Sequence, residues 1–345
     1  MADEQPPLVL ITGSSGHLGT ALMLSLPSLG FTPIGIDILP SPTTTLVVDI
    51  TSAPAVQSVF NSHPRITAVI HTATLHKPHV SSHPKSAFIA TNITGTLNLL
   101  EAFTAHLAAQ PTTAALSPAF VFISTTSAFG SALSPPPGAP AAWIDESVVP
   151  RPKNIYGATK LAAEDLCALA HKESGLPTVV LRTSRFFPEA DDDADRRAEL
   201  ADDNLKVCEL AYRRVDIADV VSACVCAMRR AGAVGFGKYI VSAPPPVERG
   251  EEVLRMLDCD AGVVMRQAVP GAEEVFGERG WGFQGRVDRV YDSAKAVREL
   301  GWEPEWTFGR VVERLRRGER LRSELTERVG LKGYHAVSTG VYTVR

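Results

Sequence analysis

Leu8-Val9-Leu10-Ile11-Thr12-Gly13-Ser14-Ser15-Gly16-His17-Leu18-Gly19 runs four aliphatic residues into three glycines spaced three apart. A short, unbroken apolar run reads as a strand covered on both faces, and the residues after Gly16 read as a helix. Gly13 permits the tight turn, Gly16 removes a side chain where a pyrophosphate must approach, and Gly19 lets the helix lie close to the sheet. The start of the helix, from Ser15 through His17 and Leu18, points its first N–H groups and its dipole toward a phosphate. Asp37 ends the next apolar run, Pro33-Ile34-Gly35-Ile36-Asp37, at the spacing where an acid takes the ribose hydroxyls of a dinucleotide. A carboxylate there repels a 2′-phosphate, which favours NAD over NADP. A plain turn residue before Pro40 is the alternative reading of Asp37. Asp49 and Ile50, closing the third apolar run, would border the adenine.

Outward from that stretch the same rhythm continues. Apolar runs predict strands over 8–11, 32–36, 45–48, 68–71, 120–124 and 178–182, separated by helices over 17–29, 92–108 and 156–173. The fold class is therefore α/β, a Rossmann-type doubly wound parallel sheet, with a smaller C-terminal α/β lobe. The first domain is expected over 1–182, with 216–243 (a helix over 217–230 and a strand over 238–241) returning to it. The residues 183–215 and 244–345 form the substrate lobe. The segment 131–140, rich in proline, alanine and serine, reads as a surface loop. The acidic run 189–203 reads as a solvated loop, and 313–328 as one charged helix.

Composition excludes several classes. The chain has 345 residues and a net charge of -4, with no basic stripe that would displace counterions from a nucleic acid. No run approaches the roughly 20 apolar residues of a membrane span, and the amino-terminal apolar run is too short for a signal peptide. Five scattered cysteines without paired metal-ligand spacing fit a reduced, cytoplasmic protein.

The chemistry gathers on one helix. Tyr156-Gly157-Ala158-Thr159-Lys160 places a phenol and an ammonium one turn apart on one face. A free phenol, with a pKa of about 10, is a poor base at neutral pH, and a neighbouring cation favours the phenolate. Phe120 to Thr126 ends a buried strand in three hydroxyls, Ser124, Thr125 and Thr126, at the carboxyl edge where open α/β sheets bind ligands. His71 and Thr72 reach the same edge, and Asn92 opens the following helix.

Together these pieces resemble the extended short-chain dehydrogenases/reductases of the NAD-dependent epimerase/dehydratase kind. The resemblance is carried by Thr12-Gly13-x-x-Gly16-x-x-Gly19, Asp37, Asp49-Ile50, His71-Thr72-Ala73, Asn92, Ser124-Thr125 with Phe129-Gly130, Tyr156-x-x-x-Lys160, Leu181-Arg182, and Asp292 through Leu300-Gly301-Trp302-x-Pro304. It implies Thr125, Tyr156 and Lys160 as catalytic residues, with Ser124 against the nicotinamide and Lys160 on its ribose. It also implies that Thr72 to His76 line the cofactor groove and that Ser184 and Pro188 lie at the nicotinamide end. Members of this family often form homodimers by packing the helices represented here by 92–108 and 156–173 into a four-helix bundle.

Departures narrow the chemistry. Thr126-Ser127 stands where the related dehydratases carry an acid pair, which speaks against dehydration. Arg185 stands where the 4-epimerases carry asparagine, and Asn204-Leu205 is followed closely by Arg213-Arg214-Val215-Asp216, which shortens the stretch that would cover a uridine diphosphate. The late family arginine is matched loosely, by Arg286 or Arg289. The leading expectation is an NAD-dependent oxidoreductase or epimerase acting on a secondary hydroxyl of a small sugar-like substrate, with a UDP-sugar 4-epimerase as the alternative. Thr126, Arg185, Asn204, Arg213, Arg214 and Arg289 are the substrate-side candidates, against the competing reading of structural ion pairs. A non-catalytic NAD-binding regulator is a further alternative, against which Thr125, Tyr156 and Lys160 all speak. A metal hydrolase built on His76, His79 and His83 lacks an acidic ligand nearby.

Overall fold

The computed structural model describes residues 5–109, 117–190 and 194–332. The first four residues of the acidic amino terminus and Asp191 to Asp193 of the acidic run lie outside the described residues. The described residues within Met1–Ala128, Pro152–Arg182 and Ala223–Tyr239 form one compact unit, and those within Phe129–Arg151, Thr183–Ser222 and Ile240–Arg345 form a second. The segment 129–151, assigned from sequence to the first domain, falls in the second unit, and the returning segment is 223–239 rather than 216–243.

The strands in chain order are β1 (Leu8–Thr12), β2 (Thr32–Asp37), β3 (Leu46–Val47), β4 (Ile66–His71), β5 (Ala119–Thr125), β6 (Ala142–Ile144), β7 (Thr178–Thr183), β8 (Arg185–Phe186), β9 (Arg214–Val215), β10 (Phe236–Val241) and β11 (Arg289–Tyr291). Seven of them form one sheet in the order β10-β7-β5-β4-β1-β2-β3. β1 pairs in parallel with both β2 and β4, and β4 with β5. The chain thus leaves β1 toward β2 on one side and returns to β4 on the other. The carboxyl ends of β1 and β4 meet at that switch point, the place where open α/β sheets bind their ligands.

Packing explains why these runs are strands. Every residue of β1 and of β5 is buried, and such sequences are stable when helices cover both faces. The helices that position the site are α1 (His17–Ser25), α2 (Ala53–Ser62), α3 (Lys85–Phe88), α4 (Gly95–Ala108) and α5 (Ile155–Ser174). Leu10, Val69, Phe120 and Val180 of the sheet pack with Val56, Leu99, Phe103 and Ala163 of the helices in one cluster. Each fully buried large apolar side chain contributes about 1.5–3 kcal/mol. The helix predicted from Asn92 begins earlier, at Lys85, and passes through a π-helical segment, Ile89–Thr94, before α4.

The second unit has its own core, in which Phe187, Leu210, Tyr212, Phe276, Val290 and Phe308 meet. Two parallel pairs, β6 with β11 and β8 with β9, lie in it. Two sequence expectations change here. The acidic run is not simply a loop: Ala194–Glu199 and Asp202–Glu209 are helical. Asp202 and Asp203 complement the dipole in the first turn of the second of these, and Lys206 pairs with Asp202. The charged segment near 313–328 is two helices, Phe308–Arg316 and Glu324–Val329. Gly318 in the left-handed region stops the first, and the Ser323 hydroxyl caps the second on the Thr326 N–H.

Candidate active site

Gly13 leaves β1 with φ +69°, and Gly16 is the residue that caps α1. A Cβ on Gly19 would lie 2.0 Å from the Gly13 carbonyl oxygen, so a side chain there would force the helix off the loop. Asp37, at the end of β2, accepts the Ser15 N–H at 3.0 Å and the Leu39 N–H at 2.9 Å. Its carboxylate is thereby fixed beside the glycine turn while remaining partly exposed. Of the neighbouring candidates, Leu18 is buried in the core and His17 is buried at the first turn of α1. Asp49 lies two residues beyond β3, exposed, and accepts the Thr51 N–H ahead of α2, while Ile50 is buried.

His71 has a different part from the one expected. The ring is 1% exposed, with Nδ1 2.7 Å from Thr12 Oγ1 and Nε2 3.0 Å from Thr96 Oγ1. Thr96 spends its single hydroxyl proton on the Asn92 carbonyl, so His71 Nε2 must be the donor to Thr96. Burial first, and the Lys160 charge second, hold the ring's pKa well below its usual value. The ring is therefore neutral, Nδ1 is bare, and Thr12 donates to it while accepting the Ala73 N–H. Thr72 donates to the Thr12 carbonyl at 2.6 Å. His71 is thus a strut under the glycine loop rather than a surface of the groove.

Asn92 continues the chain of contacts. Its amide oxygen accepts from Thr74 and from the Leu75 N–H, and its nitrogen donates to the Leu75 carbonyl and to Thr159 Oγ1. All of this capacity goes to fastening the loop after β4 onto α5, the helix of Tyr156 and Lys160. His76 follows in that loop, with its ring 6.5 Å from the Tyr156 ring and 4.8 Å from that of His79, and His79 stacks edge-on against His83.

Asn154 caps α5 on the Gly157 N–H, which sets the helix start just before Tyr156. Tyr156 is 8% exposed and Lys160 2%. Burial lowers the Lys160 ammonium to a pKa of about 7, and its Nζ lies 3.9 Å from the centre of the Phe122 ring, a favourable cation–π contact. At the end of β5, Thr125 Oγ1 accepts the Ser127 N–H at 3.0 Å, which orients the hydroxyl so that its proton is what Thr125 offers. Thr126 opens the short turn that follows and is buried. Ser124 turns the other way and donates to Glu164 Oε1 at 2.6 Å. The sequence reading missed Glu164, Thr96 and Thr159, although Glu164 lies one turn past Lys160 and Thr96 one turn past Asn92.

Of the substrate-side candidates Thr126 lies in the first unit, and the others belong to the second and make contacts there. Asn204 exchanges both amide groups with the backbone of Gly282. Arg213 and Arg214 both bind Glu209, and Arg214 is fully buried. Arg289 and Arg196 share Asp288, which they hold down to a pKa of about 2 against the opposing effect of burial. Arg286 binds Asp258 and the Pro135 carbonyl. Arg185 stands opposite Arg214 in the β8–β9 pair. The Ser184 N–H bonds the Val241 carbonyl, and Pro188 is half-buried.

A phosphate-ready glycine turn, a carboxylate fixed beside it and a buried Tyr/Lys pair now stand in one unit. The model of the NAD dependent epimerase/dehydratase family matches residues 9–241. The chain belongs to that family. A UDP-glucose 4-epimerase of Rhizobium meliloti (strain 1021) is 27% identical over 344 residues, which cover 88% of this chain and 94% of that protein. UDP-glucose 4-epimerase 2 of Oryza sativa subsp. japonica is 30% identical over 46% of this chain, and the match spans 39% of the rice protein. Among solved structures, the UDP-N-acetylglucosamine 4-epimerase of Bacillus cereus superposes with a TM-score of 0.59 at 19% identity, covering 89% of this chain and 97% of that one. A mutated uronate dehydrogenase gives 0.56 at 19%, covering 91% and 87%. These structural likenesses establish a common fold. Family membership accounts for the order of the motifs, and the structure explains why Asn92, His71 and Thr159 lie where they do within the epimerase/dehydratase scaffold.

Proposed function

We propose that the chain is an NAD-dependent oxidoreductase or epimerase that acts on a secondary hydroxyl of a sugar-like substrate. The observation that carries this reading is Lys160, an ammonium buried at 2% exposure one turn after Tyr156 on α5. A buried cation is costly unless it has a task, and perturbed lysines gather at functional sites. Beside a phenol, its task is to stabilise the phenolate.

The residues present fit a dinucleotide. The glycine turn leaves room at the N-terminus of α1, and Asp37 is held beside it by the Ser15 N–H. Gly13 to Gly19 would hold the pyrophosphate, Asp37 the adenosine ribose, and Lys160 the nicotinamide ribose. Bound there, NAD supplies the hydride acceptor. Thr125 donates its hydroxyl proton to the substrate oxygen and orients it. Tyr156 accepts the proton of the reacting hydroxyl as general base, and returns it as general acid in the reverse direction. Lys160 lowers the cost of the phenolate that forms.

The Rhizobium relative, matched over 94% of its length, favours a nucleotide sugar as the substrate and a 4-epimerase as the activity. Incubation with NAD and either UDP-glucose or a free sugar acid separates the two outcomes: interconversion of UDP-glucose and UDP-galactose marks the epimerase, and accumulation of reduced NAD marks the dehydrogenase. Tyr156→Phe should abolish either while leaving NAD affinity nearly intact. Turnover that survives in this variant overturns the mechanism.

A homodimer through α4 and α5 belongs to the same reading. It is supported by Leu97 on α4 and Leu169 on α5, at 37% and 46% exposed, together with Ile89 at 48% just before α4. A cytoplasmic location is supported by the five cysteines, scattered along the sequence without paired spacing.

A further inference from the structure

The loop after β4 is fastened on both sides of a single residue by buried polar groups. Before it, the Asn92 amide oxygen takes the Thr74 hydroxyl and the Leu75 N–H, and the amide nitrogen donates to the Leu75 carbonyl and to Thr159 Oγ1 on α5. Asn92 does this from the π-helical segment Ile89–Thr94, a geometry that recurs at functional sites. After it, the buried ring of His79 accepts the His76 N–H on Nδ1 at 3.0 Å, and the His76 side chain accepts the His79 N–H in return. The residue held in this way is His76, whose ring stands edge-on to the Tyr156 ring with centroids 6.5 Å apart.

His76, His79 and the exposed His83 form a row of three imidazoles leading away from the phenol, with centroids 4.8 and 5.0 Å apart. They do not make a proton wire. A ring relays a proton only by taking one on one nitrogen and releasing one from the other, and the Nδ1 lone pair of His79 is occupied by an N–H. The same logic defines what His76 offers. Its ring nitrogen that takes the His79 N–H carries no proton, so the ring's proton sits on the other nitrogen and the imidazole is a hydrogen-bond donor.

We propose that His76 is a specificity-determining residue that touches the substrate: its imidazole N–H donates to an oxygen on the carbon next to the one that is oxidised. The inference rests on the Tyr156/Lys160 reading of the site, in which Tyr156 and Thr125 share the reacting oxygen. Because the His76 and Tyr156 rings are in edge contact, the two oxygens they engage belong to neighbouring carbons. The substrate class so selected is a vicinal diol rather than an isolated secondary alcohol. Asn92 and His79 are positioning residues: they hold the imidazole in place before the substrate arrives, which lowers the ordering cost of binding.

The experiment measures kcat/KM of the full chain with NAD on two pairs of probes: UDP-glucose beside its 3-deoxy analogue for reaction at C4, and free glucuronate beside its 2-deoxy analogue for reaction at C1. The chain should prefer the hydroxylated member of the pair it turns over by about tenfold or more, the scale of one hydrogen bond to the substrate. His76→Leu should erase that preference and leave NAD affinity unchanged. His79→Phe should weaken it, whereas His79→Gln, whose amide oxygen can accept the His76 N–H, should keep it. A preference that survives His76→Leu overturns the proposal, and so does a loss of NAD affinity with the preference intact, which places His76 on the cofactor. If His76→Leu does not fold, the two His79 variants decide, and an equal preference in both overturns the proposal. Failure of the underlying reading has another signature: turnover that survives Tyr156→Phe, or a wild-type chain inert toward both UDP-glucose and glucuronate, removes that reading and this assignment with it.

Discussion

The position where Gly157 would carry a Cβ lies 2.9 Å from the carbonyl oxygen of Ser127. The helix that bears Tyr156 and Lys160 is thus seated directly on the turn that follows Thr125, and the missing side chain is what permits the contact. Gly157→Ala should push helix and turn apart at a cost of about 1–3 kcal/mol. Because small misplacements of catalytic groups are costly, kcat should fall by about tenfold or more, with NAD affinity little changed. Steady-state kinetics beside a cofactor titration checks this; a fully active Gly157→Ala would show that the contact does not position the catalytic pair.

Asp37 decides the choice of dinucleotide in this reading. Asp37→Asn keeps an oxygen for the Ser15 or Leu39 N–H, which the carboxylate accepts at 3.0 and 2.9 Å, but removes the charge. NAD should bind about tenfold more weakly, the scale of one charge-assisted hydrogen bond, and the preference for NAD over NADP should shrink. Equilibrium titration with both dinucleotides is the measurement, and an unaltered preference would remove Asp37 from cofactor recognition.

His71 predicts a pH dependence of stability. Its pKa in the folded chain is held well below the unfolded value, chiefly by burial, so the folded state binds fewer protons whenever the unfolded histidine is charged. The stability it leaves intact above pH of about 6.5 should therefore decline below it, by about 1.4 kcal/mol per unit, until the folded pKa is reached. Chemical denaturation at several pH values from neutral downward should show this slope, and His71→Gln, which can still donate to Thr96, should flatten it. An equal slope in the two proteins would assign the effect to other groups.

Leu97 and Leu169 test the proposed dimer. Each is exposed on one of the two helices assigned to the interface, and a charge buried without a partner is strongly unfavourable. Leu97→Glu combined with Leu169→Glu should convert dimer to monomer in analytical ultracentrifugation without lowering the melting temperature of the monomer. A wild-type chain that sediments as a monomer at micromolar concentration would dismiss the interface.

The first half of the chain was legible because its signals are local. An apolar run, a glycine turn and a helical period lie within a few residues of one another, so Leu8 to Gly19 carried the fold class, and the spacing of Tyr156 and Lys160 on one helix pointed to the proposed chemistry. Segments governed by capping were less legible. The break between Arg316 and Glu324 rests on Gly318 and Ser323, whose weak signals a charged helical pattern overrides. The helices at Ala194–Glu199 and Asp202–Glu209 were hidden by a density of acids that reads as a loop until Arg196, Arg197 and Lys206 are seen to balance it.

What the sequence determined by itself was the glycine turn, the strand rhythm and the spacing of Tyr156 and Lys160 one turn apart on one helix. Tertiary structure alone decided that His71 is a neutral strut between Thr12 and Thr96, that Ser124 faces Glu164, and that Arg286 spends its charge on Asp258. The physical reason is common to all three. A hydrogen bond or ion pair depends on where two side chains end within about 3 Å of each other, and for residues 25 to 59 positions apart, such as His71 with Thr96 and Thr12, that proximity is created by the sheet and the helices packed on it.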